Sequence, residues 1–255
     1  MSKVRTLILR APGTNCDAET VFAFQQAGAE VSLIHVNKLI HHQQKLSDYQ
    51  ILVIPGGFTY GDDIAAGKVL ANELRLKLGE DIKRFIENGG LILGICNGFQ
   101  VLVKAGILPE FSDDNSPLLT LAANDSGKFE CRWVHLAVNK ESPCVFTRGI
   151  DSMYLPVAHA EGKVVANPRV LPDLNIVLYY TDEHGNKAGY PHNPNGSVEN
   201  IAGICDASGR IFALMPHPER YIRHTQHPQW TRQPTKKYGD GFHIFLNAVK
   251  WAENL

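Results

Sequence analysis

Short, largely apolar segments separated by helical patterns constrain the fold of this chain more than any other feature. Four of them lie at residues 4–9, 31–36, 50–54 and 91–95. Strands that are apolar on both sides must be covered on both faces, which is typical of parallel sheets with flanking helices. Helical spacing of apolar residues between them predicts helices over 14–27, 68–88 and 98–105. The sequence therefore predicts an α/β fold.

The second half of the chain has shorter apolar runs, at 118–123, 132–138, 144–146, 176–180, 201–205 and 210–214. They predict further strands, and the first three favour antiparallel additions to a mostly parallel sheet. An amphipathic helix is predicted over 241–253, after a polar surface loop at 224–241 that holds two prolines. No linker separates two units, so we predict a single domain over residues 1–255.

Charge and hydropathy exclude several classes of protein. The chain has 25 Lys and Arg against 26 Asp and Glu, so binding to nucleic acid over a whole basic surface is not expected. No apolar run approaches the ~20 residues that span a bilayer, and no secretory leader is recognisable. We expect a cytoplasmic protein without a membrane partner.

The five cysteines show no metal-site or disulfide pattern, since no Cys-x-x-Cys pair occurs. We predict no bound metal and no cofactor in this chain. Cys131, Cys144 and Cys205 fall in strand-like runs and are interpreted as small core residues. Cys16 lies at a helix start without flanking glycines and is interpreted as structural. Cys96 is the exception.

Cys96 lies between Gly94 and Gly98, where an apolar strand runs directly into a helix. This is the pattern of a nucleophile elbow, a tight strand-to-helix turn that presents a side chain at the carboxyl end of a sheet. The start of a helix favours a thiolate and directs N–H groups at a developing oxyanion. The plainer alternative is a buried cysteine in a tight turn.

A thiol nucleophile needs a base and a group that orients the base. His217 follows the predicted strand 210–214, lies between two prolines, and has Glu219 two residues further on. His217 is therefore the candidate base and Glu219 its candidate partner.

Gly57 follows a third strand, in the sequence Pro-Gly-Gly-Phe. Its N–H and that of Asn97 are candidates for an oxyanion hole, although a glycine pair alone also fits a simple tight loop. Because the carboxyl ends of parallel strands form one binding edge, we expect the three motifs to meet there.

The same motifs resemble those of the class I, triad-type, glutamine amidotransferases. Gly94-x-Cys96-x-Gly98-x-Gln100 and His217-x-Glu219 carry the resemblance to the class. A narrower resemblance, to the glutaminase subunit or domain of phosphoribosylformylglycinamidine synthase, rests on blocks spread along the chain. These blocks are PGTNCD at 12–17, PGGFTYGDD at 55–63, Asn124-x-Ser126-x-x-Phe129-Glu130-x-Arg132-Trp133, His159-x-Glu161-Gly162, NPNGS at 193–197 and MPHPER at 215–220.

The resemblance implies a flavodoxin-like class I glutaminase fold and glutamine hydrolysis through a thioester on Cys96. It assigns His217 and Glu219 to the triad, Gly57 and Asn97 to the oxyanion hole, and Gln100 to substrate binding. It further implies a partner, the formylglycinamide ribonucleotide synthetase, which would hold ATP and Mg, and a small accessory subunit.

The sequence is also compatible with two other functions. The chain could be a glutaminase or γ-glutamyl thiol hydrolase of another pathway, or a non-catalytic regulatory subunit of the same fold. The resemblance places 124–132 near the glutamine site or the partner. His159 and Glu161 are predicted in a loop, as a contact to the partner or a structural pair.

Overall fold

The computed structural model describes residues 3–109 and 119–255, and its strands and helices follow the α/β prediction. The strands are, in chain order, β1 (Arg5–Arg10), β2 (Glu30–His35), β3 (Ile51–Ile54), β4 (Leu91–Ile95), β5 (Leu119–Ala123), β6 (Glu130–Val138), β7 (Ser152–His159), β8 (Glu161–Ala166), β9 (Asn175–Thr181), β10 (Ile201–Cys205) and β11 (Ile211–Leu214). The helices are α1 (Asp17–Gln26), α2 (Val36–Ile40), α3 (Lys68–Glu87), α4 (Asn97–Lys104) and α5 (Phe242–Ala252).

One mixed sheet forms the centre of the fold, in the order β2-β1-β3-β4-β11-β10-β9-β6-β7. The strands from β2 to β11 pair in parallel, and those from β11 to β7 pair antiparallel. The predicted parallel core with antiparallel additions is confirmed. β5 and β8 form a separate antiparallel pair.

Helices cover both faces of the parallel core. Helix α1 connects β1 to β2, and helix α3 connects β3 to β4 in the opposite direction along the sheet. Because both crossovers are right-handed, the two helices lie on opposite faces of the sheet. α5 packs against α1, and α4 packs against α3. β3, β4, β10 and β11 are buried along their whole length, which explains their uninterrupted apolar sequences.

Some local predictions were wrong. Residues 144–146, predicted as a strand, instead lead into a short 3-10 turn at Val145–Thr147, which Cys144 precedes. The strands β7 and β8 were missed, so His159 and Glu161 end one strand and begin the next instead of lying in a loop. Cys131 is exposed because it points away from the core on β6, whereas Cys144 and Cys205 are buried as predicted.

The segment 224–241 is mostly exposed and holds short 3-10 turns at His224–Gln226 and Trp230–Arg232. The single domain over 1–255 stays a prediction, which the continuity of the central sheet supports. Within residues 3–109 and 119–255, none of the helices has the length and apolar character needed to cross a membrane.

The strand order reverses direction between β1 and β3, because the chain continues to one side through β2 and to the other through β4. In open parallel sheets the crevice at such a reversal is the usual ligand site, at the carboxyl ends of the strands. The loops after β1, β3, β4 and β11 meet at this edge and carry the candidate residues.

Candidate active site

Cys96 lies in a strained turn between β4 and α4. Its backbone has φ +52° and ψ −104°, a combination that residues with a side chain rarely adopt. The neighbouring glycines permit the turn. A Cβ on Gly98 would lie 1.9 Å from the carbonyl oxygen of Ile54, and one on Gly94 would lie 2.6 Å from Leu102. The predicted elbow geometry is therefore present, with α4 packed tightly on the end of β3.

Gly57 and Asn97 lie on the loops that face Cys96. Gly57 has φ +149°, and a Cβ there would come within 2.8 Å of the backbone after β1. Asn97 is the first residue of α4, where N–H groups have no partner within the helix. Both backbone N–H groups thus belong to segments next to the cysteine.

The buried side chain of Asn97 ties the loop after β3 to the start of α4. Its Oδ1 accepts a hydrogen bond from the Thr59 hydroxyl at 2.7 Å. Its Nδ2 donates to Gln100 Oε1 at 2.8 Å and to Asp62 Oδ1 at 3.2 Å. Burial raises the pKa of Asp62, and the hydrogen bonds to its carboxylate oppose that shift.

His217 and Glu219 form a buried pair directly after β11. Nδ1 of His217 lies 2.6 Å from Oε1 of Glu219. Burial disfavours a charged ring, but the charges of Glu219 and of a Cys96 thiolate outweigh it and raise the pKa of His217 well above its usual value. The other ring nitrogen, Nε2, has no hydrogen-bond partner in the described part of the chain. The pair therefore leaves Nε2 for chemistry with Cys96.

The backbone also fixes the position of the His217 ring. The His217 N–H donates to the Pro156 carbonyl on β7 at 2.8 Å. On the other side, a Cβ on Gly56 would come within 2.9 Å of Cε1 of the ring. The first glycine of the Pro-Gly-Gly sequence is therefore required by packing against the imidazole.

Cys16 lies beside the same imidazole, which the sequence did not indicate beyond its position at a helix start. Its Sγ is 4.0 Å from Nδ1 of His217 and 3.1 Å from Nη2 of Arg220. Cys16 is therefore next to the ring nitrogen that Glu219 holds. Nδ1 is already hydrogen-bonded to Glu219, so the nitrogen nearest to Cys16 is not free to act as its base.

Ligand atoms of Cys16, His217 and Glu219 lie within 4.8 Å of one another. That separation alone could suit a metal ion. The Arg220 guanidinium next to Sγ places a positive charge at the same spot, however, and Glu219 already holds the imidazole. The donor set fits a hydrogen-bonded cluster better than a cation site.

A cavity of about 250 Å³ opens beside Cys96. Cys96, Gly57 and Gln100, three of the six predicted site residues, line it together with Ala158 and His159. Asn97, His217 and Glu219 are not among its lining residues. Cys96 Sγ lies 3.7 Å from the Ala158 carbonyl oxygen. A larger cavity of about 600 Å³ is lined by Gln50 and Gly90, which precede β3 and β4, and so it lies at the opposite edge of the sheet.

Gln100 is buried in the wall of the smaller cavity. Its Nε2 donates to the carbonyl oxygen of Glu161, and its Oε1 accepts from Asn97. An amide has two N–H donors and two acceptor lone pairs, so one of each stays available to a ligand. Glu161 forms an ion pair with Lys104 of α4, whereas a structural pair with His159 was one of the two expectations from the sequence.

The segment 124–132 contacts His159, which is one of the residues that line this cavity. Asn124 contacts the ring of His159, whose Nδ1 is 3.1 Å from Asn124 Oδ1. Glu130 is paired with His159 across β6 and β7, and its buried carboxylate forms an ion pair with Arg132. Sequence reasoning indicated this segment only through the resemblance, because the contacts join residues about thirty positions apart.

The chain is similar to known proteins along its whole length. Residues 3–252 match the CobB/CobQ-like glutamine amidotransferase domain. The phosphoribosylformylglycinamidine synthase subunit PurQ of Dehalococcoides mccartyi is 60% identical over all of both chains. PurQ of Methanococcus maripaludis is 43% identical, with 97% of each chain covered.

A solved structure described as PurLQS from Thermotoga maritima contains a similar chain. Its TM-score is 0.76 at 34% identity, and the match covers 98% of this chain and 99% of that one. The chain therefore belongs to the CobB/CobQ-like glutamine amidotransferase family and, within it, to the PurQ glutaminase subunits of phosphoribosylformylglycinamidine synthase.

Proposed function

We propose that this chain hydrolyses L-glutamine to glutamate and ammonia through a thioester on Cys96. The observation that carries the proposal is an elbow cysteine that lines a cavity, close enough to a buried His217–Glu219 pair for its charge to raise the pKa of His217. Both alternatives from the sequence are less well supported. A regulatory subunit has no use for this cluster, and a hydrolase of another pathway does not fit a 60% full-length identity to PurQ.

In the first step, the Cys96 thiolate attacks the side-chain amide carbon of glutamine. Negative charge develops on the amide oxygen, and the N–H groups of Gly57 and Asn97 donate hydrogen bonds to it. The positive φ of Gly57 and the place of Asn97 at the start of α4 support these two roles. Gln100 contributes its remaining amide donor and acceptor to the bound substrate.

His217 acts first as the general acid and then as the general base. Nε2 gives a proton to the departing nitrogen and then takes one from the water that attacks the thioester. Glu219 accepts the hydrogen bond from Nδ1–H, which keeps the ring in the tautomer that this step needs. The same bond argues against Cys16 as the nucleophile, because Cys16 lies beside Nδ1, which Glu219 already holds.

The ammonia is consumed by a partner in this proposal. The similar chain in the Thermotoga maritima structure was solved as part of PurLQS, which supports a complex with a synthetase subunit and a small accessory subunit. The synthetase would use ATP and Mg to convert formylglycinamide ribonucleotide into formylglycinamidine ribonucleotide. This chain itself would hold no cofactor. Its five cysteines are free thiols, which supports a reducing, cytoplasmic compartment.

The experiment is to measure ammonia release from glutamine by this chain alone and with a formylglycinamide ribonucleotide synthetase, its substrate and ATP. We expect strong stimulation by the complete mixture. Equal rates in both conditions would contradict the coupling to this synthetase. No release in either condition, with a synthetase shown to be active on ammonium salts, would contradict the glutaminase assignment.

A further inference from the structure

His159 is a buried imidazole that the steps above do not use. It ends β7 and lines the cavity beside Cys96. Its Nε2 is buried and has no hydrogen-bond partner within residues 3–109 and 119–255. Buried polar atoms are nearly always paired, so an unpaired one in the wall of an active site points to a ligand.

The surrounding hydrogen bonds fix where the proton of this ring lies. Asn124 Nδ2 donates to the carbonyl oxygens of Lys128 at 2.9 Å and His159 at 2.8 Å. Its Oδ1 is therefore the acceptor, and it also receives the N–H of Gly162 at 3.1 Å. The His159 Nδ1 next to this oxygen must carry the proton. Nε2 of the neutral ring is then an acceptor only.

The ring stays neutral at the pH of the cytoplasm. Burial, together with the positive charge of His217, lowers the pKa of His159 to about 4, although Glu130 acts in the opposite direction. His217 has the opposite shift. The site thus combines the imidazole of His217, which holds a proton readily, with that of His159, which does not. Such opposite pKa shifts are typical of two groups with different catalytic roles.

The end of β7 places His159 next to both reacting groups. The Pro156 carbonyl accepts from the backbone of His217, and the Ala158 carbonyl lies 3.7 Å from Cys96 Sγ. His159 follows directly. The two imidazoles are also close enough for the charge of His217 to lower the pKa of His159.

We propose that Nε2 of His159 accepts a hydrogen bond from the small molecule beside His217, first the departing ammonia and then the water that replaces it. This inference rests on the proposed glutaminase function. In the first half, the C–N bond breaks as His217 gives its proton to nitrogen, and the NH₃ formed can donate to His159.

In the second half, water attacks the thioester carbon and passes one proton to His217. Collapse then breaks the C–S bond, which releases the Cys96 thiolate and the carboxyl group of glutamate. The second O–H of the water donates to His159, so that an oxygen lone pair is aimed at the thioester. His159 is thereby a further residue of the catalytic site.

Two substitutions distinguish a hydrogen-bond acceptor at Nε2 of His159 from a structural role in which only the Nδ1 contact with Asn124 matters. His159→Asn keeps an amide near Nδ1 but removes the acceptor at Nε2. His159→Gln places an amide oxygen near Nε2 but gives up the donor at Nδ1. Each variant is assayed with the synthetase, its substrate and ATP, and glutamine hydrolysis by the wild-type complex is the reference.

We expect His159→Asn to lower kcat about tenfold or more with little change in KM, the loss typical of one catalytic hydrogen bond. Mass spectrometry of the quenched complex should find a γ-glutamyl group accumulated on Cys96. His159→Gln should retain most of kcat. The reverse ranking, or wild-type rates in both variants, would overturn the inference. An inactive wild-type complex would instead contradict the proposed function, and the inference with it.

A second measurement needs no variant. Ring-¹⁵N NMR of the wild-type complex reports which nitrogen of each histidine carries a proton. The inference requires a neutral His159 ring with the proton on Nδ1 and a bare Nε2 at pH 7. A proton on Nε2 of His159 would overturn it, whatever the variants do.

Discussion

At the scale of single residues, two cysteines lie near one imidazole, and only hydrogen-bond geometry separates their roles. Cys16 approaches Nδ1, which Glu219 already occupies, whereas Cys96 lies at the elbow beside the cavity. Ala in place of Cys96 should lower ammonia release by about 10⁴-fold or more, because the nucleophile is lost. Ala in place of Cys16 should lower it less than about tenfold, since only a packing contact changes.

Both cysteine variants are measured by ammonia release in the presence of the synthetase. Cys131→Ser is the matched control, because Cys131 is an exposed cysteine outside the site. Loss of activity in Cys16→Ala together with retention in Cys96→Ala would show that the nucleophile has been misassigned.

His159 also makes stability depend on pH. Its pKa falls from 6.5 in the unfolded chain to about 4 in the fold, through burial and the nearby His217. As the pH drops below 6.5, the unfolded chain binds a proton that the folded chain does not, so the free energy of unfolding falls until about pH 4. The raised pKa of His217 acts oppositely, since its contribution is complete below pH 6.5 and is lost at higher pH.

When the pH is lowered from 6.5 to 4.5, the free energy of unfolding of the wild type should therefore fall by roughly 2–3 kcal/mol more than that of His159→Asn. The asparagine side chain binds no proton in this range. Urea unfolding of both proteins across this range measures the difference. Parallel stability curves for the two proteins would contradict a neutral, buried His159.

At the scale of elements, the elbow depends on the contact between α4 and the end of β3. A Cβ on Gly98 would lie 1.9 Å from the Ile54 carbonyl oxygen, and neither backbone can move far within the core. We expect Gly98→Ala to lower the free energy of unfolding by about 2 kcal/mol or more.

Gly79 is the matched control, because it lies inside α3 and a Cβ there meets nothing within 4 Å. Gly79→Ala should raise the free energy of unfolding by about 1 kcal/mol, the helix propensity difference. Equal stability of Gly98→Ala and the wild type in urea would mean that the elbow is not held as tightly as these contacts indicate.

The elements that could be predicted from the sequence are those with a strong local pattern. The parallel strands and α1, α3, α4 and α5 have continuous apolar runs or helical spacing, and the elbow is marked by its glycines. β7 was missed because Pro156 interrupts it, which is tolerated since β7 is the edge strand of the sheet. The turn at Val145–Thr147 resembles a strand because its residues are apolar and buried for tertiary reasons.

The site divides in the same way. Cys96, Gly57, Asn97, Gln100, His217 and Glu219 could be nominated because each lies in a short motif at the end of an element. The positions of Cys16 and His159 could not, because each depends on contacts between distant segments. Cys16 meets a residue 201 positions away, and His159 meets Asn124 across 35 positions.

At the scale of the whole molecule, the mouth of the cavity carries exposed apolar side chains. Ile64 is 88% exposed and, although β-branched, has φ +72°. It lies between Asp62 and Ala65, which line the cavity. Phe58 and Phe129 are also exposed, and their rings stack at 6.5 Å. Such residues stabilise the isolated chain little, so we expect them to contact the synthetase.

Ile64→Asp should weaken binding to the synthetase about tenfold or more without lowering thermal stability, because a charge would replace an apolar contact. Leu76→Asp is the control, since Leu76 is 77% exposed on α3 and does not line the cavity. Calorimetric titration measures both affinities. Unchanged binding of Ile64→Asp would exclude this loop from the interface.

The transfer of ammonia from glutamine to the synthetase can be followed with a nitrogen isotope. The complex of this chain with the synthetase is given glutamine labelled with ¹⁵N at the side-chain amide, formylglycinamide ribonucleotide, ATP and an excess of unlabelled ammonium. We predict that the amidine of the product carries ¹⁵N, and that Cys96→Ala leaves only unlabelled product. An unlabelled product from the wild-type complex would contradict a glutaminase that delivers its ammonia to the synthetase.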